Sequence, residues 1–255
     1  MTVLKLQEGI IYGPIKSRRL GSSLGINLLP TNFKLCSFNC IYCHYGWTKE
    51  HSVVVKNHLD LLPSVKEVEE ALESWLKNNH PKIDYITFSG NGEPTLHPDF
   101  SKIVDSVKKI RDKYVPQAKV AILSNSSTIN IPDVKEGLKK VDLRIMKLDC
   151  GIEKCFIEIN RPCEDVKFED IVENLRSLDD FILQTIFLDG EINNVSESEI
   201  DEWIKKIAYI KPKEVQIYTC DRPQAKKGLI KVTKEKMQKF ASQAQTATKI
   251  MVRVF

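Results

Sequence analysis

Short strand-like segments alternate with amphipathic helix-like segments along most of this chain, and the alternation limits the fold more than any other feature. The predicted strands are rich in β-branched residues, and several are apolar on both faces, as in a sheet covered by helices. They lie at 26–29, 83–88, 119–123, 143–148, 182–188 and 214–218. Because a helix follows each strand, the pattern predicts a parallel sheet with right-handed crossovers. An open doubly wound sheet and a partial barrel both satisfy this prediction.

Helix starts carry signals of their own. A capping box at Ser64 and Glu67 precedes one predicted helix, because Ser and Glu at this spacing satisfy free backbone N–H groups. A second capping box begins at Ser196. Further helices are predicted after Pro98, over 132–140, over 168–178 and after Thr233.

Composition restricts the class of protein. The chain has 255 residues, of which 42% are hydrophobic, so it can bury a sizeable core. We expect one domain over 1–255, with a core at about 11–230 and a C-terminal helix and tail at 231–255. With no secretion signal and no run of roughly 20 apolar residues, we expect a cytoplasmic protein without a membrane partner. The net charge of +4 is too small and too scattered to indicate DNA binding.

Three of the seven cysteines lie close together. Cys36, Cys40 and Cys43 form a C-x3-C-x2-C group directly after the first predicted strand. Disulfides are not expected in a reducing compartment, so clustered cysteines indicate metal. Three thiolates on one short loop can bind three irons of a cubane cluster and leave the fourth iron open, as catalytic sites require. The alternative is zinc with His44 as the fourth ligand, although two adjacent residues seldom close a tetrahedron.

Other unusual motifs also follow predicted strands. The carboxyl ends of parallel strands meet at one edge of the fold, and ligands bind there. The loops at these ends contain the cysteine group, 90–93, 124–125, 149–151, 189–190 and 219–222. We therefore expect one site built from several loops.

Flanking motifs extend the cysteine group. Tyr42 stands just before the last cysteine, G-P-I-K-S-R-R-L-G lies at 13–21, S-G-N-G-E-P-T-L at 89–96 and Y-T-C-D-R-P at 218–223. Together these motifs resemble the radical S-adenosylmethionine superfamily, and within it the wyosine-synthetase-like branch, over about 11–230. The resemblance implies a partial (β/α)6 TIM-like barrel with parallel strands. It also implies a 4Fe–4S cluster on Cys36, Cys40 and Cys43, with S-adenosylmethionine (SAM) beside it.

The resemblance further implies which residues contact SAM. In this family the turn after the second strand holds the methionine amino group, which gives that role to Gly90, Gly92 and Glu93. The other cofactor-binding residues that it implies are Tyr42, Asn125, Lys147, Asp149, Gln184 and Tyr218. Two alternatives stay open, namely a plain glycine turn with a solvent-facing Glu93, and Tyr218 as a core aromatic residue.

The remaining cysteines are Cys150, Cys155, Cys163 and Cys220. Their spacing matches no familiar cluster run, and a buried cysteine is by default a small hydrophobic residue, although a second cluster stays an alternative. Because Cys150 and Cys220 end strands at the predicted site, they are the candidates for a catalytic hydrogen donor. Asn160 and Arg161 could reach a cofactor carboxylate or an anionic substrate, or Arg161 could be a surface arginine.

The predicted function is reductive cleavage of SAM to a 5′-deoxyadenosyl radical, which abstracts a hydrogen atom from a substrate. An electron donor such as flavodoxin or ferredoxin is implied. The substrate is left open among a small molecule, a protein and tRNA, and so is an oxidoreductase, lyase or transferase outcome. A tRNA-base-modifying enzyme, a glycyl-radical-enzyme activase and a zinc-binding module without chemistry are the alternatives.

Overall fold

The computed structural model describes residues 3–79 and 82–255. Its strands are β1 (Ile11–Ser17), β2 (Gly21–Ile26), β3 (Leu35–Cys36), β4 (Glu50–His51), β5 (Tyr85–Phe88), β6 (Lys119–Ser124), β7 (Leu143–Lys147), β8 (Ile182–Asp189), β9 (Glu214–Thr219), β10 (Ile230–Lys231) and β11 (Val252–Val254). Its α-helices are α1 (Val65–Asn79), α2 (Phe100–Tyr114), α3 (Pro132–Lys140), α4 (Glu153–Asn160), α5 (Phe168–Arg176), α6 (Glu197–Ile210) and α7 (Lys234–Thr248).

The main sheet is parallel and curled. Its order is β1-β2-β5-β6-β7-β8-β9-β11, with β1 antiparallel to β2 and the other neighbours in this order parallel. Leu20, just before β2, packs against Ile145 of β7 and Ile182 of β8, so one edge of the sheet bends over its middle. In the same turn, Arg18 pairs with Asp221 after β9 at 2.5 Å. The six parallel strands β2 and β5–β9 therefore form a partial (β/α)6 barrel rather than an open sheet.

The first parallel strand starts earlier than the sequence pattern predicts. It covers Gly21–Ile26 rather than 26–29. Small residues conceal it, because the Tyr12 ring of β1 packs directly on Gly25, where an added Cβ would lie 2.1 Å from a ring carbon. Strands β1 and β11 lie outside the predicted set and extend the sheet at its two edges.

Helix starts follow the predicted signals more closely. The Glu67 N–H donates to Ser64 Oγ at 3.3 Å, and the Ser64 N–H donates to the Glu67 carboxylate at 2.7 Å, so the capping box forms. Ser196 accepts the Glu199 N–H at the start of α6, and α3 has the predicted limits. The short helix α4 is an additional element between β7 and α5.

The core lies between the sheet and the outer helices. Trp203 of α6 is 1% exposed, contacts Phe187 of β8 edge-on and donates its indole N–H to Thr185 Oγ1 at 3.0 Å. Because side chains alternate along a strand, Gln184 points to the opposite, inner face of β8. Apolar packing outside thus leaves the inner face available for a polar site.

The remaining predictions concern membrane-spanning segments and domain organisation. No helix within the described ranges is both long and apolar enough to span a membrane. One domain over 1–255 with a core at about 11–230 stays a prediction.

Candidate cluster and cofactor site

The cysteine loop lies at the carboxyl end of the parallel strands. Strand β3, which contains Cys36, pairs with β4, and Leu35 forms a bridge with Gly92 in the turn after β5. Cys36, Cys40 and Cys43 line one cavity at this end of the barrel. The predicted convergence of the cysteine loop and the glycine turn is therefore present.

At least one pair of the three sulfurs is farther apart than two ligands of one zinc ion. Ligands about 2.3 Å from a tetrahedral zinc lie about 3.8 Å from one another. Within residues 3–79 and 82–255, the sulfurs of Cys36, Cys40 and Cys43 are not all within 4.8 Å of one another. His44 Nδ1 bonds to the Pro223 carbonyl oxygen at 3.1 Å, and this contact leaves the other ring nitrogen able to bind a metal. This spacing suits the wider footprint of an iron–sulfur cluster better than a single zinc ion.

A buried cation faces the three cysteines. Lys34 is 5% exposed and donates from Nζ to the Gly46 carbonyl oxygen at 3.0 Å. Burial lowers the pKa of Lys34, but the sulfurs of Cys43, Cys36 and Cys40 together raise it above its ordinary value. The Lys34 ammonium group is thus a fixed positive charge beside sulfurs that would become thiolates when a metal binds.

The thiols of Cys36 and Cys40 need a metal to ionise. Burial raises the pKa of Cys36 to about 12 and that of Cys40 to about 11. Amide donors already point at both sulfurs, with Asn125 Nδ2 at 3.6 Å from Cys36 Sγ and Asn160 Nδ2 at 3.6 Å from Cys40 Sγ. A bound metal would replace the thiol protons, and these amides would then stabilise the thiolates.

The glycine turn after β5 brings two backbone segments together. Gly90 and Gly92 have φ values of +132° and +153°, which side-chain-bearing residues rarely adopt. A Cβ on Gly92 would lie 1.6 Å from the Leu35 carbonyl oxygen. Here glycine allows the turn to approach the protein's own cysteine loop, and that contact holds the turn at the cavity.

Glu93 is buried rather than solvent-facing, so that alternative is wrong. It is 2% exposed, and its carboxylate accepts the Asn125 N–H at 2.6 Å and the Thr95 N–H at 3.2 Å. Burial raises the pKa of the Glu93 carboxyl, and these hydrogen bonds oppose the rise. Glu93 thereby connects the turn after β5 to the turn after β6.

Asp149 is the centre of a buried polar network. It is 2% exposed; its Oδ2 accepts the Tyr42 hydroxyl at 2.5 Å and Asn160 Nδ2 at 2.7 Å. Its Oδ1 accepts the Ile186 N–H at 3.0 Å and lies 3.0 Å from Lys147 Nζ. Four donors on one carboxylate fix the aromatic ring beside the last cysteine of the triad.

Lys147 extends this network toward the open side of the barrel. Its Nζ donates to the Tyr218 hydroxyl at 2.9 Å. Burial lowers the pKa of Lys147, but Asp149 and Tyr218 raise it above its ordinary value by a larger amount. On the other side, the Arg19 guanidinium lies 4.5 Å from the centre of the Tyr218 ring.

Most of the predicted cofactor residues surround the cavity that the cysteines line. They are Tyr42, Gly90, Gly92, Glu93, Asn125, Lys147 and Gln184. Asp149 and Tyr218 lie behind this lining, bonded to Tyr42 and Lys147 respectively. Of the nine residues predicted to bind the cofactor, seven therefore line the cavity and two support residues that line it.

The two candidate catalytic cysteines lie elsewhere. The described lining of the cavity includes neither Cys150 nor Cys220. Cys150 is fully buried beside Cys155 and Glu199, and Cys220 is 6% exposed after β9. Catalytic hydrogen donation by either one stays a prediction.

Comparison with known proteins identifies the family. A family model described as the radical SAM superfamily matches residues 33–207. The chain belongs to the radical SAM superfamily. Members of this superfamily use a 4Fe–4S cluster and SAM.

The curated relatives of this chain are longer proteins. It is 37% identical over 225 residues to a UPF0026 protein of Methanocaldococcus jannaschii, covering 86% of this chain and 65% of that protein. It is 35% identical over 242 residues to a Brachyspira hyodysenteriae protein named GTPase Obg, covering 93% of this chain and 34% of that protein. The chain thus spans less than two thirds of both relatives, and the GTPase name is that of the longer protein.

Two solved structures share the fold. TYW1 with a lysine–pyruvate adduct bound matches at a TM-score of 0.59 and 14% identity, covering 89% of this chain and 75% of that one. Streptococcus suis SuiB bound to SAM matches at a TM-score of 0.63 and 13% identity, covering 90% of this chain and 50% of that one. At this identity the likeness shows the partial barrel alone.

Two residues of the site had no role in the sequence interpretation of the cluster. Lys34 lies two residues before Cys36, and nothing in its local pattern distinguishes it from the many surface lysines. Asn160 ends α4, and its amide bonds Asp149 beneath the cysteine loop, whereas Arg161 stacks on Trp47 at 5.0 Å. The N-R-P sequence at 160–162 was the available signal for Asn160, but only the fold brings it under Cys40.

Proposed function

We propose that this radical SAM enzyme binds a 4Fe–4S cluster through Cys36, Cys40 and Cys43. When bound, the cluster and SAM supply a one-electron cleavage that yields methionine and a 5′-deoxyadenosyl radical for hydrogen abstraction from the substrate. The observation that carries the proposal is that three cysteines line one cavity, with at least one pair of sulfurs more than 4.8 Å apart. Three thiolate ligands leave one iron of a cubane free for SAM.

For SAM itself we propose contacts from the cavity lining. The methionine amino group is assigned to Gly90, Gly92 and Glu93, because a buried carboxylate next to the triad suits an ammonium group. Gln184 also lines the cavity, and its Nε2 has no hydrogen-bond partner within the described part of the chain. A buried donor left without an acceptor costs about 1–3 kcal/mol, and a SAM carboxylate or ribose oxygen would remove that cost.

The remaining assignments divide into direct and supporting roles. Tyr42, Asn125 and Lys147 line the cavity and are proposed to contact the adenine, ribose or carboxylate of SAM. Asp149 and Tyr218 are proposed as positioning residues, since they hold Tyr42 and Lys147 in place. A protein electron donor such as flavodoxin or ferredoxin is proposed to reduce the cluster.

Cysteine variants test the proposal. Wild-type protein, reconstituted without oxygen and reduced with dithionite, should bind about four irons per chain and convert SAM to 5′-deoxyadenosine. Cys36→Ala, Cys40→Ala and Cys43→Ala should each lower 5′-deoxyadenosine to the background of protein-free controls, as measured by mass spectrometry. Cys163→Ala is the matched control, because Cys163 is as buried as Cys36, at 8% exposure, and should keep full activity. Cleavage retained in any triad variant would refute the ligand assignment.

A wyosine-like reaction on a tRNA base is a second candidate. The observation that favours it is a group of arginines on the open side of the barrel. Burial lowers the pKa of Arg19, and the like charges of Arg18 and Arg222 lower it further. Arg19 Nη1 is also buried without a hydrogen-bond partner among the described residues. Phosphate oxygens are the usual partners of such guanidinium groups.

Nucleoside analysis separates this candidate from other substrates. Bulk tRNA incubated with the reduced enzyme and SAM should gain a modified nucleoside, detected by mass spectrometry after digestion. Arg19→Ala should reduce that product while leaving substrate-free SAM cleavage unchanged. Unaltered tRNA, together with intact SAM cleavage, would exclude the tRNA candidate and leave the SAM-cleaving function standing.

A further inference from the structure

A second group of metal-binding side chains lies away from the cavity. The sulfurs of Cys150 and Cys155 and a carboxylate oxygen of Glu199 are all within 4.8 Å of one another. These residues are 0%, 8% and 4% exposed, respectively. In the part of the chain that the structure describes, no other set of three histidine, cysteine or acidic ligands is so close together.

The group joins segments that are distant in sequence. Cys150 follows β7, Cys155 lies in the first turn of α4, and Glu199 lies in the first turn of α6. Glu199 Oε1 accepts the N–H groups of Gly151 and Ile152, which precede α4. Hydrogen bonds of this kind orient the carboxylates that bind metals.

A fourth oxygen lies beside the three side chains. The Asn193 carbonyl oxygen is 3.9 Å from Cys155 Sγ. The loop that carries it is fixed by Asn194, whose side-chain amide donates to the Asp149 and Ile186 carbonyl oxygens at 2.7 Å each. The site therefore offers two sulfurs and two oxygens in a rigid setting.

Without a cation the ionised forms of these three groups are costly to bury. Burial raises the pKa of the Cys150 thiol and of the Glu199 carboxyl. The pKa of Cys155 is raised too, because burial and Glu199 outweigh its hydrogen bond with Cys150. Hydrophobic packing accounts for a buried cysteine, but the buried Glu199 carboxyl beside Cys155 needs polar partners, of which the Gly151 and Ile152 N–H groups supply two. A divalent cation would replace the protons and pair all three ligands.

We propose that Cys150, Cys155 and Glu199 bind one zinc ion, with the Asn193 carbonyl oxygen or a water molecule as the fourth ligand. Two thiolates with one carboxylate favour zinc over magnesium or calcium, which prefer oxygen ligands alone. Such an ion is structural: it ties the loop after β7, which carries Asp149, to the first turns of α4 and α6. The proposal is independent of SAM cleavage, since it uses none of the residues that line the cofactor cavity.

Cluster-loaded protein provides the test, because iron then occupies the triad. Anaerobically reconstituted wild-type protein is mixed with zinc, and bound zinc and iron are measured by mass spectrometry after gel filtration. We expect about one zinc in addition to about four irons per chain. Cys155→Ala and Glu199→Gln should weaken zinc binding at least about tenfold in competition with a chelator, without loss of iron. Cys163→Ala, equally exposed at 8%, should bind zinc like the wild type.

A measurement on the wild type keeps the test decisive if a variant fails to fold. Zinc-edge X-ray absorption should show two sulfurs at about 2.3 Å and two oxygens at about 2.0–2.2 Å. Three sulfurs around zinc, unchanged zinc affinity in Cys155→Ala, or a zinc-free protein with a Cys150–Cys155 disulfide would each overturn the proposal. Failure here, with iron content and 5′-deoxyadenosine formation intact, would leave the proposed function untouched.

Discussion

Removing the Asp149 carboxylate should destabilise the protein by about 3–5 kcal/mol, the usual cost of deleting one partner of a buried ion pair. In the wild type, Lys147 Nζ lies 3.0 Å from an Asp149 carboxylate oxygen, and Asp149→Ala leaves this ammonium group without its counterion. It also removes the acceptor of the Tyr42 hydroxyl and of Asn160 Nδ2. Each buried donor left unpaired adds to the cost, at about 1–3 kcal/mol before relaxation.

A double-mutant cycle isolates the charge pair from the rest of the network. Lys147→Met removes the cation but leaves the three neutral donors of Asp149 in place, so it should cost less than Asp149→Ala. The double variant buries no unpaired charge, so its cost should fall short of the sum of the single costs by about 0.5–3 kcal/mol.

Urea unfolding followed by circular dichroism measures these free energies, with every variant in the same cluster-free, reduced form. The exposed pair Lys213 and Asp180, at 2.7 Å, is the matched control and should show a coupling of about 0–1 kcal/mol. A cost below about 1 kcal/mol for Asp149→Ala, or strict additivity in the cycle, would refute the view that this carboxylate organises the site.

Three further outcomes are expected. Gly92→Ala should yield little folded protein, because its Cβ would lie 1.6 Å from a backbone oxygen. The control Gly9→Ala, whose Cβ would have no atom closer than 3.9 Å, should melt like the wild type. Equal melting temperatures for the two variants would contradict this prediction. Burial lowers the pKa of His97, whose Nδ1 accepts the Asp99 N–H. The unfolded chain therefore binds a proton more readily, so unfolding free energy should decline as pH falls below about 6.5, more steeply in the wild type than in His97→Gln; parallel profiles would count against it. Lys34→Met should make the cluster harder to reduce, since a positive charge beside it is lost, and an unchanged midpoint in an EPR-monitored redox titration would argue against that role.

Local sequence signals anticipated the elements whose causes are local. The capping boxes at Ser64 and Ser196 and the limits of α3 depend on hydrogen bonds within a few residues, so they are readable from the chain. Strand β2 is different, because its glycine and serine residues look like a loop until the Tyr12 ring covers Gly25. Its pairing partners, rather than its own propensity, make it a strand.

The candidate site shows the same division. Strand-end loops predicted a common edge, and seven of the predicted residues do line one cavity with the cysteines. The contacts of Lys34 and Asn160 with that site depend on how distant segments pack, as does the burial of Glu93. The group of Cys150, Cys155 and Glu199 spans 50 positions and has no spacing motif, so only the folded chain reveals it.

The most direct test of the central claim is the EPR spectrum of the reduced, reconstituted protein before and after addition of SAM. Three cysteine ligands leave one iron accessible, so SAM should shift the signal of the reduced cluster, and Cys163→Ala should respond in the same way. A reduced cluster whose spectrum is unaffected by SAM would mean that every iron already has a protein ligand, and it would contradict the assignment of Cys36, Cys40 and Cys43 as the complete ligand set.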